Sequence, residues 1–350
     1  KMKTKEKILT LDKYINEALY NNKTGYYMKK NPFGLNGDFI TSPNISILFS
    51  EMIAVWVVSF WEKLKFPKKF NLIELGAGNG EMMSQMVKSF NKFPLFQKSC
   101  QINIFEKSQY LKKIQKQNIK NNNVKWIKNL SELSNLPNIF VANEFFDALP
   151  IKQFTKKKNK WYERNVNIFN SKNHIFKDIV YDIKKIEKEI GFKISYKQKF
   201  IEYSPLTLKY LKIIAKKISV KSGGILVIDY GYWNKYMKNT LKSVINHNYN
   251  DVLNNFNTSD ITHNINFKLM TKILIKLNLK ISGSTNQKSF LVNLGILKRA
   301  EIISRKLPFS KKADIYFRVK RLIGDNSMGK LFKVVLATNK KIIFKTGFEN

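Results

Sequence analysis

The chain has 350 residues, 63 lysines and arginines against 25 aspartates and glutamates, a net charge of +38 and 43% apolar residues. That length and apolar content fit a globular protein of one large or two ordinary domains and exclude the disordered class. The single cysteine, Cys100, excludes a disulfide framework and any zinc site built from three or four cysteines. No run has the ~18 consecutive apolar residues of a membrane span. Residues 1–10 lack the apolar block of a signal peptide, so a reducing, aqueous compartment is expected.

Apolar spacing over residues 8–20 predicts an amphipathic helix. A loop punctuated by Gly25, Pro32, Gly34 and Gly37 follows, and then a buried helix over 45–64 that ends before Pro67. From residue 70 the pattern alternates short apolar runs with helical segments, the mark of βαβ units and a parallel sheet. Strands are expected over 70–75, 101–105, 124–127 and 138–142, with helices over 81–90 and 109–116. Residues 151–154 and 160–164 read as a hairpin around Lys156-Lys-Lys-Asn159. The stretch 168–200 carries no clear pattern and reads as an insertion. A helix over 206–218, a turn at Ser222-Gly-Gly224, a strand over 225–228, an Asn-rich excursion over 233–262, a helix over 267–277 and a closing strand over 333–337 complete the chain.

The sharpest local signal is Leu72-Ile-Glu-Leu-Gly-Ala-Gly-Asn-Gly80, an apolar strand with an acid near its end running into three glycines before a helix. Glycines let the backbone turn tightly and let a ligand approach without a Cβ in the way. A dinucleotide site wants G-x-G-x-x-G, but the sixth position is Glu81, and a P-loop's Gly-Lys-Ser/Thr is absent. The pattern resembles the first motif of Rossmann-like S-adenosylmethionine (SAM) methyltransferases. SAM has no pyrophosphate, and its ammonium wants a carboxylate or carbonyl, which Glu74 could supply directly or through water. The alternative is a glycine turn that only packs strand on helix.

Glu106 closes the next strand, where an acid can accept hydrogen bonds from both ribose hydroxyls; the alternative is an ordinary exposed acid. Asn143 and Glu144 fall at the carboxyl end of the fourth strand, where open parallel sheets hold ligands. Asp147 lies one turn beyond Glu144 if a helix begins there. Two acids in one cleft suit a cationic acceptor, because they hold a guanidinium by paired hydrogen bonds and help take its proton. Asp147 as the cap of a following helix is an equal alternative.

The +38 charge is almost all lysine, since Arg164, Arg299, Arg305, Arg318 and Arg321 are the only arginines. Lys, Asn, Ile, Phe and Tyr in excess are residues of A+T-rich codons. Proteins that read bases favour arginine, so a solvated lysine surface is the preferred reading and no specific nucleic acid partner is expected. His174 and His247 show no ligand-like spacing with His263, and no metal site is expected. Cys100 precedes a strand and reads as packed.

Asn143-Glu-Phe-Phe-Asp-Ala-Leu-Pro150, with Gly25-Tyr-Tyr27, Gly37-Asp-Phe39, Thr41-Ser-Pro43 and the glycine loop, resembles the MidA-like SAM-dependent methyltransferases. Glu202-Tyr-Ser-Pro205, Asp229-Tyr-Gly231, Asp260-Ile-Thr-His263, Phe290-Leu291, Leu294-Gly-Ile296 and Met328-Gly-Lys-Leu-Phe-Lys-Val334 extend the resemblance across residues 8–336. The family includes a mitochondrial complex I assembly factor that methylates arginine.

The resemblance implies an α/β fold: a class I Rossmann-like methyltransferase sheet with an N-terminal helical and loop extension over 1–66. A core over 67–340 would carry insertions at about 151–200 and 233–262. It implies SAM as cofactor, bound by Glu74, Gly76, Ala77, Gly78, Gly80, Glu106 and Asn143, with Gly37 and Asp38 closing over the site. It implies Asn143 and Glu144 at the methyl-transfer cleft, with Asp147 the further catalytic candidate read from the residues, and a protein arginine acceptor, with a complex I subunit as the family's example. Ala77 and Asn79 stand where the family has Pro and Arg, and Asn44 stands where it has Glu.

His263 is read two ways: a histidine in the first turn of a helix capped by Asp260 and Thr262, or a catalytic proton acceptor or acceptor-binding group. A catalytically weak SAM-binding assembly chaperone and an RNA methyltransferase stand as the other functional readings. With no Arg/Ser-rich transit segment visible, a bacterial cytoplasm is expected ahead of a mitochondrial matrix.

Overall fold

Two-sided burial of short apolar runs decides the architecture, seen in a computed structural model that describes residues 7–34, 37–38, 40–121, 123–170, 173–245 and 248–349. His247, Phe39 and the first six residues lie outside these. The described chain opens with β1 (Lys7–Thr10), α1 (Leu11–Tyr20), the single turns α2 (Tyr26–Lys29) and α3 (Ser42–Ile45), and the long α4 (Ile47–Lys63). The expected helix over 8–20 is thus corrected. Its first residues are extended because they pair antiparallel with Asn165–Ile168, and the helix starts only at Leu11.

The core follows as β2 (Phe70–Leu75), α5 (Glu81–Phe90), α6 (Pro94–Ser99), β3 (Cys100–Phe105), α7 (Gln109–Asn118), β4 (Val124–Ile127) and β5 (Asn138–Asn143). Next come β6 (Lys152–Lys157) and β7 (Lys160–Ile168), then β8 (His174–Tyr181), α8 (Lys184–Ile190), β9 (Phe200–Tyr203), α9 (Pro205–Lys221) and β10 (Gly223–Tyr232). The Asn-rich stretch holds β11 (Lys242–Ile245), β12 (Asn248–Asn250), β13 (Asp260–Thr262) and β14 (Ile265–Asn266). The last elements are α10 (Phe267–Lys276), β15 (Lys280–Asn286), α11 (Gln287–Asn293), α12 (Ile296–Ser304), α13 (Phe309–Ile323), α14 (Met328–Leu331) and β16 (Phe332–Thr338).

The main sheet runs β15-β16-β10-β5-β2-β3-β4, with β14 beside the end of β10. From β10 to β4 all neighbours are parallel; β16 is antiparallel to both β10 and β15. Every residue of β2 is buried because the strand has a helix layer on each face. Phe70 and Leu72 pack with α4 and α5, while Ile73 and Leu75 pack with α9 and α10. Helix α4 therefore belongs to the sandwich although it lies within residues 1–66, and Ile342 and Phe344 join the same core beyond residue 340.

The chain steps outward from β2 to β4 and then returns to place β5 on the other side of β2. That reversal opens a crevice at the carboxyl ends of β2 and β5, the usual ligand site in such sheets. Three segments roof it. Residues 151–203 form an antiparallel sheet, β1-β7-β6-β9 with β8 on the other edge of β7, so the N-terminal strand and the insertion share one layer. Strands β12-β11-β13 form a small third sheet. Leu11, Tyr14, Tyr27, Leu111, Val166 and Ile261 join these pieces in one apolar cluster. Among the described helices none is long and apolar enough to cross a membrane.

Candidate active site

Chain reversal after β2 needs a left-handed backbone, and Gly76, Gly78 and Gly80 supply it with φ of 67°, 53° and 84°. A Cβ on Gly76 would stand 2.7 Å from the Phe145 ring. Gly76, Ala77 and Gly78 line the crevice with Glu74, Asn143 and Glu144. Gly80 instead caps α5 and lets it approach Gln115 of α7, so its contribution is to the fold beneath the loop.

Glu74 is buried, and its Oε2 finds no hydrogen-bond partner among the described residues. Burial, with nearby Glu106, pushes its carboxyl up to about 8. The Glu106 carboxylate accepts from the Ser108 amide (2.8 Å) and from Gln115 Nε2 (3.1 Å). Gln115 also donates to the Gly78 carbonyl and accepts from Trp126. A single glutamine thereby ties the acid after β3 to the glycine loop after β2.

Glu144 leaves β5 with a left-handed φ of 49°. Its Oε1 accepts from the Ser42 amide (3.2 Å) and from Asn143 Nδ2 (3.3 Å), and burial raises it to about 7. No helix begins beyond it: residues 144–149 form turns, which corrects both the one-turn spacing and the cap role for Asp147. Asp147 nevertheless lines the same chamber as Glu144, Glu106 and Asp260. Its turn is clamped from both sides. The Phe146 and Asp147 amides donate to Asp229 Oδ2 (3.0 and 3.3 Å), and the His263 amide donates to the Asp147 carbonyl (3.1 Å). Asp147 Oδ1 finds no partner among the described residues. Burial and then Asp229, Glu144 and Asp260 hold its carboxyl well above the usual range.

Two acids carry more of the site than their sequence signals suggest. Asp229, near the end of β10, is fully buried and raised to about 8 by burial and Glu144. Asp260 accepts from the Tyr27 hydroxyl (2.7 Å) and is raised to about 7 by burial. Asp229 was legible from its place near the end of a parallel strand. Asp260 was not, because the three-residue strand β13 has no pattern of its own.

Matching residues 52–285, more than half of the chain, is a family model described as "Putative S-adenosyl-L-methionine-dependent methyltransferase". The chain belongs to this family. The methyltransferase is 26% identical over 350 residues to "Protein arginine methyltransferase NDUFAF7, mitochondrial" of Xenopus laevis, covering 93% of this chain and 80% of that one. Against the human protein of the same name it is 26% identical over 322 residues, covering 85% and 72%. A Burkholderia thailandensis protein solved with S-adenosyl-homocysteine bound superimposes with a TM-score of 0.79 at 20% identity, over 98% of this chain and 89% of that one. That likeness shows the fold.

Two expectations need correction in the methyltransferase. Asp260 and Thr262 are not helix caps: they lie in β13, and α10 starts later, capped by Asn266. His263 is thus not in a helical first turn, and its side chain lines a neighbouring cavity with Glu202 and Thr207 instead of the chamber. Gly37 and Asp38 are not among the described residues that line the crevice. Asp38 accepts from the Tyr26 hydroxyl and from Lys30 (2.6 Å), so it fastens α2. No cluster of three potential metal ligands occurs among the described residues. Burial raises the Cys100 thiol, which makes it a poor nucleophile.

Proposed function

We propose that this methyltransferase transfers the SAM methyl to an arginine of a protein acceptor. The observation that carries the reading is a chamber lined by three buried carboxylates, Glu106, Asp147 and Asp260, and the half-buried Glu144, in a chain with only 25 acids and a charge of +38. Burying so many acids together is costly unless a cation joins them. SAM is cationic, and so is a guanidinium. The relatives' names as protein arginine methyltransferases support the same acceptor.

The residues present fit the cofactor. The unpaired Oε2 of Glu74 and Oδ1 of Asn143 suit its ammonium, beside the backbone of Gly76, Ala77 and Gly78. Glu106 keeps acceptor capacity for ribose hydroxyls after its two present bonds. When bound, SAM supplies an electrophilic methyl on its sulfonium. Glu144 and Asp147 hold and orient the guanidinium; the positive charge entering the chamber draws the raised Asp147 carboxyl back to its ionised form, and its unpartnered oxygen then takes the proton the nitrogen loses. Gly80 supports the loop from below, and Asp38 keeps Tyr26 and α2 over the chamber. The family resemblance extends the acceptor to a complex I subunit. The eukaryotic relatives are named mitochondrial, and the lysine-rich, A+T-codon composition supports a bacterial cytoplasm here.

The test is to incubate the protein with methyl-labelled SAM and extract from its own source, digest separately with protease and nuclease, and hydrolyse the labelled fraction to amino acids. Label released by protease and recovered as methylarginine is expected. Label released by nuclease alone, or recovered as methyl-lysine, overturns the reading. SAM binding without any transfer favours the assembly chaperone.

A further inference from the structure

Behind the Asp147 turn lies a second cavity of about 50 Å³, lined by His263, Thr207, Glu202, Tyr203, Tyr232 and Asn264 among others. Three buried polar atoms on residues of this wall, His263 Nε2, Thr207 Oγ1 and the Tyr203 hydroxyl, have no hydrogen-bond partner among the described residues. All three side chains are more than nine-tenths buried. A buried donor or acceptor left unpaired costs about 1–3 kcal/mol, so a group of them at one cavity asks for an occupant. The acid at the wall needs none: the Glu202 carboxylate already accepts from Gln153 (2.8 Å) and from Thr240. A neutral occupant is therefore indicated. One water needs roughly 10–15 Å³ and two to four polar partners, so the cavity has room for about three to five.

His263 links this cavity to the chamber. Its amide holds the Asp147 carbonyl (3.1 Å), and the carbonyls of Asn264, Leu149 and Phe146 face its ring. Two of those carbonyls flank Asp147 on the turn that carries the chamber acid. We infer that the second cavity holds a cluster of ordered waters that anchors the His263 imidazole, and that His263 is a positioning residue for Asp147. Its proton chemistry is not used. The kinetic part of this inference rests on the methyl-transfer reading above; the water site does not.

Two measurements keep the two apart. A high-resolution crystal structure should show ordered water within hydrogen-bond distance of both His263 Nε2 and Thr207 Oγ1; a dry cavity overturns the inference whatever the acceptor proves to be. In the labelled-extract assay, His263→Ala should lower single-turnover transfer by about 10- to 100-fold, the scale of an ångström-level misplacement of a reacting group. SAM affinity by calorimetry should stay within about twofold, and added imidazole should restore part of the rate by refilling the enlarged cavity. Thr207→Val preserves shape and guards against a folding failure: it should slow transfer several-fold and lose its water. Full activity in both variants, or a parallel loss of SAM affinity with no imidazole rescue, overturns the positioning role.

Discussion

Replacing Asp147 by asparagine is expected to cut single-turnover methyl transfer by about 100- to 1,000-fold while leaving SAM affinity within about threefold. The side chain keeps its size, and the main-chain clamps from Asp229 and His263 do not depend on the carboxylate. What is lost is a buried carboxylate oxygen at the chamber wall that has no partner among the described residues. Glu144→Gln should be milder in transfer, because a glutamine keeps an oxygen that can still accept from the Ser42 amide and hold the loop before α4. Transfer by Asp147→Asn within twofold of the wild type would remove Asp147 from the reaction.

The second large effect belongs to the cofactor side. Gly78→Val is expected to weaken SAM binding by at least about 100-fold, the equivalent of some 3 kcal/mol. The cause is backbone and occlusion. At a φ of 53° a β-branched residue is strained by about 1–2 kcal/mol, and its methyls would fill the crevice that Gly78 lines. Crowding in the fold is not the cause, since a Cβ at this position clears the Phe33 ring at 3.5 Å. Glu106→Ala should act more weakly, by roughly 10- to 100-fold, the worth of hydrogen bonds to a charged group. Calorimetry on protein whose melting temperature matches the wild type checks both. Undiminished binding in Gly78→Val would place the cofactor elsewhere.

The parallel core was legible because its signals are local. Residues 70–75 and 124–127 are apolar runs of strand length, and Gly76–Gly80 announces its own turn, so β2, α5 and β4 were read to the residue. The acids at strand ends followed from the same logic, Glu74, Glu106 and Glu144 among them. What the chain does not announce locally is the roof. Lys7–Thr10 is extended only because β7 offers an edge far along the chain. Helices α12 and α13 bury few side chains, Ile296, Ala300 and Ser304 in one and Val319 and Leu322 in the other, so they announce themselves weakly. Asp260 and His263 sit where residues 147 and 27 reach across from other elements, and no spacing rule carries that information. His263 was named for its proton chemistry; its amide holds the Asp147 carbonyl and its ring lines the neighbouring cavity.

A cofactor-free site in which burial raises the pKa of its acids has one direct consequence for solution behaviour. Glu74, raised to about 8, binds a proton at neutral pH in the free protein, and a neighbouring ammonium would pull its pKa down. Binding must then release protons, and affinity must rise as pH climbs from about 6 to about 8 and level off above. Calorimetric titration of SAM at pH 7 in two buffers of different ionisation heat measures this. A buffer-dependent heat corresponding to net proton release is the predicted result; identical heats in both buffers, with an affinity flat from pH 6 to 8, would contradict it.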